Sequence, residues 1–398
     1  MSESVVTGVR QYLSDASVVL GYGSCSSAGI GSEALWNAML GRQPHSIEAK
    51  FGHLVPGRHP RLFSLGDEFS VNFRGRRMGA GASALGITAT AEALRRAGMT
   101  AETVNRLGAG KVFVGSGVGN ALDSEKGGLS HDTRADLYDV GHEIVSVLGL
   151  DADWVDINSA CSSGLYALQC AGDQLSAGLC DWALVIGADG ASRVALYGFE
   201  RIQAVDYERC RPFSDSSNGA SFGEGAAALL LAREFDMSDA AIKVLATGIS
   251  SDAGHLTAPD PTAGPAMAAI QDALDRASLS LADIAVLIPH GTGTRLNDAA
   301  EEIVLKWLGS GRNAPLPMYS LKALIGHTGG ASGLLGVVAA IEVLAHGFVP
   351  SNVDVGAIRD SCRESLRYEP TPLSGSIGLV NAYGFGGSNA STLVQVQS

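Results

Sequence analysis

Three side chains in this sequence of 398 residues stand where they could do chemistry: one cysteine and two histidines, each set among small residues. Cys161 lies in Asn158-Ser159-Ala160-Cys161-Ser162-Ser163-Gly164. Before it, Trp154-Val155-Asp156-Ile157 reads as a short buried strand; after it, Leu165, Leu168, Ala171, Gly172 and Leu175 recur at helical spacing. The thiol is therefore expected at a strand-to-helix turn, facing unpaired backbone N–H groups and the positive end of a helix dipole, both of which favour thiolate. A free cysteine titrates near ~8.5, and a drop to ~7 would ionise about half of it at neutral pH. Such a cysteine is either a nucleophile or one more buried thiol, and this stretch alone leaves both open. His290 lies in Pro289-His290-Gly291-Thr292-Gly293-Thr294, and His327 ends Lys322-Ala323-Leu324-Ile325-Gly326-His327. Glycine at these points lets a substrate's backbone or thioester approach closely.

The elements that must bring these residues together are legible as an internal repeat. Adding 169 to the numbers carries Ser163, Gly164, Leu165, Ala171, Leu175 and Gly178 onto Ser332, Gly333, Leu334, Ala340, Leu344 and Gly347, with identity at every position. The helix after Cys161 thus has a twin after His327. A shift of 174 carries Val112-Phe113-Val114, Gly117 and Gly119 onto Val286-Leu287-Ile288, Gly291 and Gly293, and Val18 to Gly23 resembles Val244 to Gly248. We read Val18-Val19-Leu20 as a strand ending in a loop at Gly21 and Gly23, and helices over 32–40, 83–97 and 132–148. Buried strands are expected at 111–114, 185–187 and 226–231. The expectation is an α/β chain forming one domain over 1–398, its halves covering about 16–238 and 239–398, with a cleft where they meet. If a pseudo-twofold axis relates the halves, both histidines converge on Cys161.

Composition narrows the function. A chain 46% hydrophobic and 17% charged has the makings of a large core. The net charge of -13 disfavours nucleic acid as partner, because a phosphate backbone calls for a basic face. Six scattered cysteines without a CxxC pair or zinc spacing argue for a reducing compartment and against a structural metal. The first residues lack a signal-peptide core, and the apolar run 333–349, broken by Glu342 and His346, reads as a buried helix rather than a membrane span, so a cytoplasmic protein is expected. The run Gly115-Ser116-Gly117-Val118-Gly119 lacks the last glycine of a dinucleotide-binding turn. Adjacent Glu301 and Glu302, without histidine neighbours, read as a solvated helix face rather than a metal site. Arg74, Arg76 and Arg77 form the most basic spot of an acidic chain, suited to an acidic partner.

Over nearly its whole length the chain resembles the β-ketoacyl-acyl carrier protein synthases, condensing enzymes of fatty acid and polyketide synthesis with the thiolase fold. The marks are Ala160-Cys161-Ser162-Ser163, Arg211-Pro212-Phe213, Gly223-Glu224-Gly225, His290 to Thr294, Lys322 with Gly326-His327, and Asn381 to Asn389. Two histidines place the resemblance with the elongating synthases. It implies two pseudo-symmetric halves in an α/β/α/β/α layering, and acyl transfer to Cys161 from a carrier-protein thioester. His290 and His327 would then hold the malonyl thioester oxygen during loss of CO2, with the backbone N–H groups of Cys161 and Phe385 as a second oxyanion hole. Lys322, Asp298, Glu301, Thr292 and Thr294 fall on supporting positions, and Phe385 matches a gate between malonyl and acyl pockets. Lys126 and Arg211 lie near docking positions for the carrier protein. A homodimer is implied, a heterodimer with a related chain is the alternative, and no metal or other cofactor is called for. The chain departs from the pattern at Ser214, Ser217, Ala220, Pro289 and Tyr383. An acyltransferase that does not decarboxylate, and a pocket-shaping partner subunit, are the competing functions; Cys161 counts against the second.

Overall fold

The computed structural model describes residues 16–48, 61–66, 69–73, 76–79, 81–121, 125, 137–233 and 241–397. Its centre is one sheet built from nine strands: β1 (Ser17–Ser26), β2 (Gly110–Gly115), β3 (Ala152–Ile157), β4 (Trp182–Asp189), β5 (Gly225–Arg233), β6 (Ile242–Ser251), β7 (Val286–Ile288), β8 (Ile377–Tyr383) and β9 (Ser388–Val396). A two-residue strand, Gly29–Ile30, adds to β1. The order is β7-β8-β9-β6-β1-β5-β4-β2-β3. Read outward from the antiparallel β6–β1 join, each side runs through two antiparallel pairings and then a parallel one, and the β1 side adds a second parallel pairing, β2–β3. The repeated sequence segments occupy matching places: Val112-Phe113-Val114 lies in β2 and Val286-Leu287-Ile288 is the whole of β7.

Strand periodicity explains the layers. Successive side chains of a strand point to opposite faces. Ala183 and Val185 of β4 and Ala227, Leu229 and Leu231 of β5 join one core. The residues between them, Leu184, Ile186, Ala226, Ala228 and Leu230, join another. Helices α2 (Ala82–Arg96) and α3 (Val140–Leu148) cover the second face. The twin helices α4 (Ser163–Ser176) and α8 (Ser332–His346) pack against strands of both halves and make the central layer. Further helices are α1 (Ser32–Gly41), α5 (Arg193–Arg201), α6 (Gly264–Ala277), which covers β6 and β9, and α7 (Arg295–Leu308). The segment Gly329–His346 is apolar enough to cross a membrane by composition, but 83% of it is buried between the half-sheets, as a core helix is.

Three expectations need correction. The strand β1 does not end at Gly21 and Gly23 but runs through both. These glycines serve packing, because a Cβ on Gly21 would stand 2.1 Å from the carbonyl oxygen of Ala93 in α2, and one on Gly23 2.3 Å from that of Ala89. Gly248 in β6 stands likewise against Ala269 of α6, at 2.1 Å. Second, β3 is not buried: it pairs only with β2 among the described strands, and Trp154 and Val155 are 42% and 46% exposed. Third, α3 starts at Val140, following a turn at Leu137 and Tyr138; residues 132–136 lie outside the described ones, as do 234–240, where the halves were expected to divide.

The Gly21 contact is with backbone, which cannot move aside without dislodging α2. Gly21→Ala is expected to destabilise by about 3 kcal/mol in denaturant unfolding. Gly172→Ala, on α4 with nothing within 4 Å of its would-be Cβ, should instead stabilise by roughly 0.5–1 kcal/mol. Equal effects of the two substitutions would refute the close-approach reading.

Candidate active site

Cys161 sits in a 3-10 turn, Ala160–Ser162, that leads directly into α4. Ala160 is held at φ 50, a left-handed conformation costly for a residue with a Cβ. Local bonds hold it there. Ser163 Oγ accepts the N–H of Ser159 at 2.9 Å and donates to the Ala160 carbonyl at 2.6 Å, while Asn158 Nδ2 donates to the Gly117 carbonyl at 3.0 Å. The strained turn aims the thiol at the loop before the twin helix.

In that loop Gly326 turns the chain at φ 72, tight against Phe63 and the Phe222 backbone, where no side chain would fit. His327 is then clamped by backbone bonds, its N–H to the Ser221 carbonyl at 2.8 Å and its carbonyl to the Gly223 N–H at 2.9 Å. Its Nε2 lies 3.1 Å from Cys161 Sγ, and its Nδ1 lies 3.0 Å from Ser332 Oγ. The His290 ring stands edge-on to the His327 ring, centroids 5.4 Å apart. The fold thus brings Cys161, His290 and His327 to one point.

Behind His290, Glu301 of α7 accepts the N–H groups of His290 at 2.7 Å and Gly291 at 2.5 Å, and Asn297 Nδ2 donates to it at 2.9 Å. Glu301 is buried, so the reading of a solvated helix face was wrong for it. Glu302, its neighbour, is held by Arg359 and by Ser361 Oγ. Asp298 accepts the N–H groups of Phe213 and Gly293 at 2.7 and 3.1 Å, tying the loop that carries Thr292 and Thr294 to the segment at Phe213. Those two hydroxyls lie 3.0 Å apart on the cavity wall. Lys322 Nζ donates to the His290 carbonyl at 2.5 Å and lies 3.4 Å from its Nδ1. An ammonium only donates, so Nδ1 is the acceptor and the ring proton sits on Nε2.

The electrostatics follow from burial. Both histidines titrate well below the ordinary imidazole value, because burial and then the Lys322 charge disfavour imidazolium. Burial likewise lowers Lys322 and raises Glu301 and Asp298. Part of Cys161 reaches the cavity, yet its sulfur is enclosed by protein, and burial pushes the thiol up to about 11. Lys322 and the N–H groups of Phe385 and Cys161 pull the other way, and Asp189 adds to the rise. The expectation of a thiolate made by the helix terminus alone is therefore corrected: burial outweighs the helix terminus and favours the neutral thiol, whose sulfur lies 3.1 Å from His327 Nε2.

Two cavities meet at this point. The outer one, 670 Å³, is lined by Cys161, His290, His327, Thr292, Thr294 and Ala220 among others. The inner one, 350 Å³, is walled by apolar residues including Leu62, Val118, Leu196 and Phe222. Phe385 lines both, with its ring stacked on Phe199 at 4.9 Å. Its loop is pinned by Gly387, where a Cβ would meet the Asp252 carbonyl oxygen at 1.7 Å, and by a bond from the Gly386 N–H to the Leu256 carbonyl at 2.8 Å. Tyr383 lines the outer cavity, its ring 5.6 Å from that of His290. Ser217 accepts a bond from Arg359 at 3.1 Å.

Asp189 was missed by the sequence reading. Its buried carboxylate accepts Ser116 Oγ at 2.6 Å and the N–H groups of Gly117, Val118 and Gly330 at 2.8, 3.0 and 2.5 Å. This explains the glycine-rich 115–119 run as a carboxylate cradle. The available signal was its place at the end of β4, next to the strand whose end carries that loop. Of the expected docking residues, Arg211 has its guanidinium bound to Asp206 at 2.6 and 3.0 Å and to Glu208 at 3.3 Å, so it braces its own loop. Arg76 and Arg77 lie in a short strand, Arg76–Met78, paired with Val71–Phe73; Arg74 and Lys126 lie outside the described residues.

With burial dominating Cys161, its alkylation by iodoacetamide should accelerate steadily with pH through about 9, reaching no plateau before the region of its raised value of about 11. A plateau near neutrality, as for a thiolate stabilised by a helix terminus, would contradict this account.

Family comparisons agree with this geometry. The profile of the beta-ketoacyl synthase N-terminal domain matches residues 67–236, and that of its C-terminal domain matches 241–356. Nodulation protein E of Rhizobium meliloti is 30% identical over 325 residues, 77% of this chain and 80% of that protein. A phenolphthiocerol synthesis type I polyketide synthase of Mycobacterium bovis is 32% identical over 277 residues, of which the chain spans 66% of its own length and only 13% of the relative's. Among solved structures, a ketosynthase in complex with its chain length factor from Xenorhabdus doucetiae superposes with a TM-score of 0.80 at 26% identity, covering 97% of this chain and 98% of the other.

Proposed function

Because the chain belongs to the β-ketoacyl synthase family, we propose that it condenses a Cys161-bound acyl chain with a malonyl thioester on an acyl carrier protein, with loss of CO2. The observation that carries this reading is the Cys161–His327 contact of 3.1 Å beside a second imidazole, at the junction of two cavities, one of them walled almost wholly by apolar groups. In the first half-reaction the Cys161 thiol passes its proton to His327 Nε2 and the sulfur attacks the acyl thioester. The N–H groups of Cys161 and Phe385 stabilise the tetrahedral oxyanion, and the departing carrier thiolate takes the proton. The acyl chain then occupies the apolar cavity. In the second, the malonyl C–C bond to the carboxylate breaks and its electron pair delocalises onto the thioester oxygen. His290 Nε2–H, oriented by Lys322, and His327 donate to that enolate oxygen. The carbanion attacks the acyl carbonyl, and the Cys161 sulfur leaves and is reprotonated from solvent through the site.

The two histidines have different duties in this scheme. His290→Ala should leave acyl-enzyme formation intact and reduce CO2 release from labelled malonyl-carrier protein roughly 100-fold or more, the scale of a lost oxyanion donor. His327→Ala should slow both. A wild-type enzyme that acylates readily but releases no CO2 from any malonyl donor would replace this reading by simple acyl transfer.

The exposed β3 edge supports a second element of the proposal, pairing with another copy. A sheet edge with Trp154 and Val155 on its two faces, both exposed, offers main-chain groups and apolar area together. A twofold axis would set two β3 strands antiparallel. Trp154→Asp should weaken the dimer roughly a hundredfold or more, read as mass by light scattering. An unchanged mass would remove β3 from the interface, and a wild-type chain that stays monomeric when purified alone would point instead to a different partner chain.

A further inference from the structure

His327 has two duties that demand opposite protonation of one atom, given the condensing reaction proposed above. To take the Cys161 proton, Nε2 must be bare; to donate to an enolate oxygen, Nε2 must carry a proton. In a neutral ring this means alternating tautomers, and whatever bonds Nδ1 decides which is available. A backbone carbonyl would hold Nδ1 protonated, and a backbone N–H would hold it bare. Here the partner is a hydroxyl, which can do either.

The geometry is specific. Ser332 Oγ lies 3.0 Å from His327 Nδ1 and 3.1 Å from Thr328 Oγ1, and both hydroxyl residues are buried. Ser332 is the first residue of α8, yet no side chain caps that helix. The internal repeat sharpens the contrast. Its twin, Ser163, spends its hydroxyl on the backbone of the Cys161 turn, accepting from Ser159 and donating to Ala160. Ser332 spends its hydroxyl on an imidazole and another hydroxyl.

We propose that Ser332 is a positioning residue that lets His327 change tautomer between the half-reactions. With the free thiol in place, Nδ1–H donates to Ser332 Oγ, and Ser332 donates to Thr328. Once Cys161 is acylated and Nε2 has lost its S–H donor, both hydroxyls rotate; Ser332 then donates to bare Nδ1, and Nε2–H faces the cavity. The ring gains a proton from water at Nε2 and returns one to water from Nδ1, so no proton is gained or lost overall.

The test uses the full chain labelled with 15N-histidine, comparing Ser332→Ala, Ser332→Val and Ser332→Thr with wild type. Alanine and valine both lack the hydroxyl but differ in volume, so failure of one to fold leaves the other; threonine keeps the hydroxyl at nearly the size of valine. In wild type, blocking Cys161 with iodoacetamide should move the His327 proton from Nδ1 to Nε2, seen in the 15N shifts. The variants without hydroxyl should lose this response and release CO2 roughly tenfold to a hundredfold more slowly at unchanged KM, the scale of an unpaired buried polar group, and threonine should restore both. A tautomer response that persists without the hydroxyl overturns the proposal. Because that readout needs no malonyl substrate, it stands even where wild type releases no CO2, an outcome that would count against the condensing reaction alone.

Discussion

Everything at this site hangs on one buried carboxylate that ties the two halves together. Asp189, at the end of β4, holds Ser116, Gly117 and Val118 of the first half and Gly330 of the second. These four donors come from the loop after β2 and from the turn that opens α8, so one side chain ties that loop to the start of α8. A Cβ at Gly329 would stand 2.3 Å from its Oδ2, which shows how tightly the turn is drawn in. Cys161 and His327 lie just ahead of α4 and α8, and their 3.1 Å contact joins the two halves at the same place. Burial raises Asp189, and the Ser116 hydroxyl and three N–H donors oppose that rise.

The same balance governs the reactive groups. A buried site disfavours every charge in it, so the thiol, both imidazoles and the Lys322–Glu301 environment are each pushed toward neutrality. For the histidines this means that a neutral imidazole with its proton on the correct nitrogen donates without adding a charge to the enclosed site. For Cys161 it is a cost that the neighbouring base offsets at the moment of reaction. Lys322 acts on both: its charge opposes imidazolium, and its position fixes the His290 proton.

Tertiary packing also reassigned surfaces. Arg211, read from the sequence as lying near a docking position, is held by Asp206 in two bonds. Conversely, the apolar run Trp154-Val155 looked like core and is an edge, because no described strand lies beyond β3. An apolar strand at an uncovered edge is a demand for a partner, which a lone chain cannot satisfy.

What the sequence by itself determined was the periodic and the repeated. Helical spacing after Cys161, the identities at a shift of 169, and the placement of His290 and His327 in glycine-bounded loops contain the α/β halves and the convergence of three reactive side chains, because local propensity and duplication are written residue by residue. Pairings between residues far apart were decided only by the folded structure: Asp189 with Gly330, Ser332 with His327, and the packing of Gly21 and Gly23 against α2. So was the thiol's protonation. The helix terminus that favours a thiolate is visible in the spacing, whereas the enclosure that outweighs it depends on which side chains from both halves surround the sulfur, and no stretch of sequence carries that information.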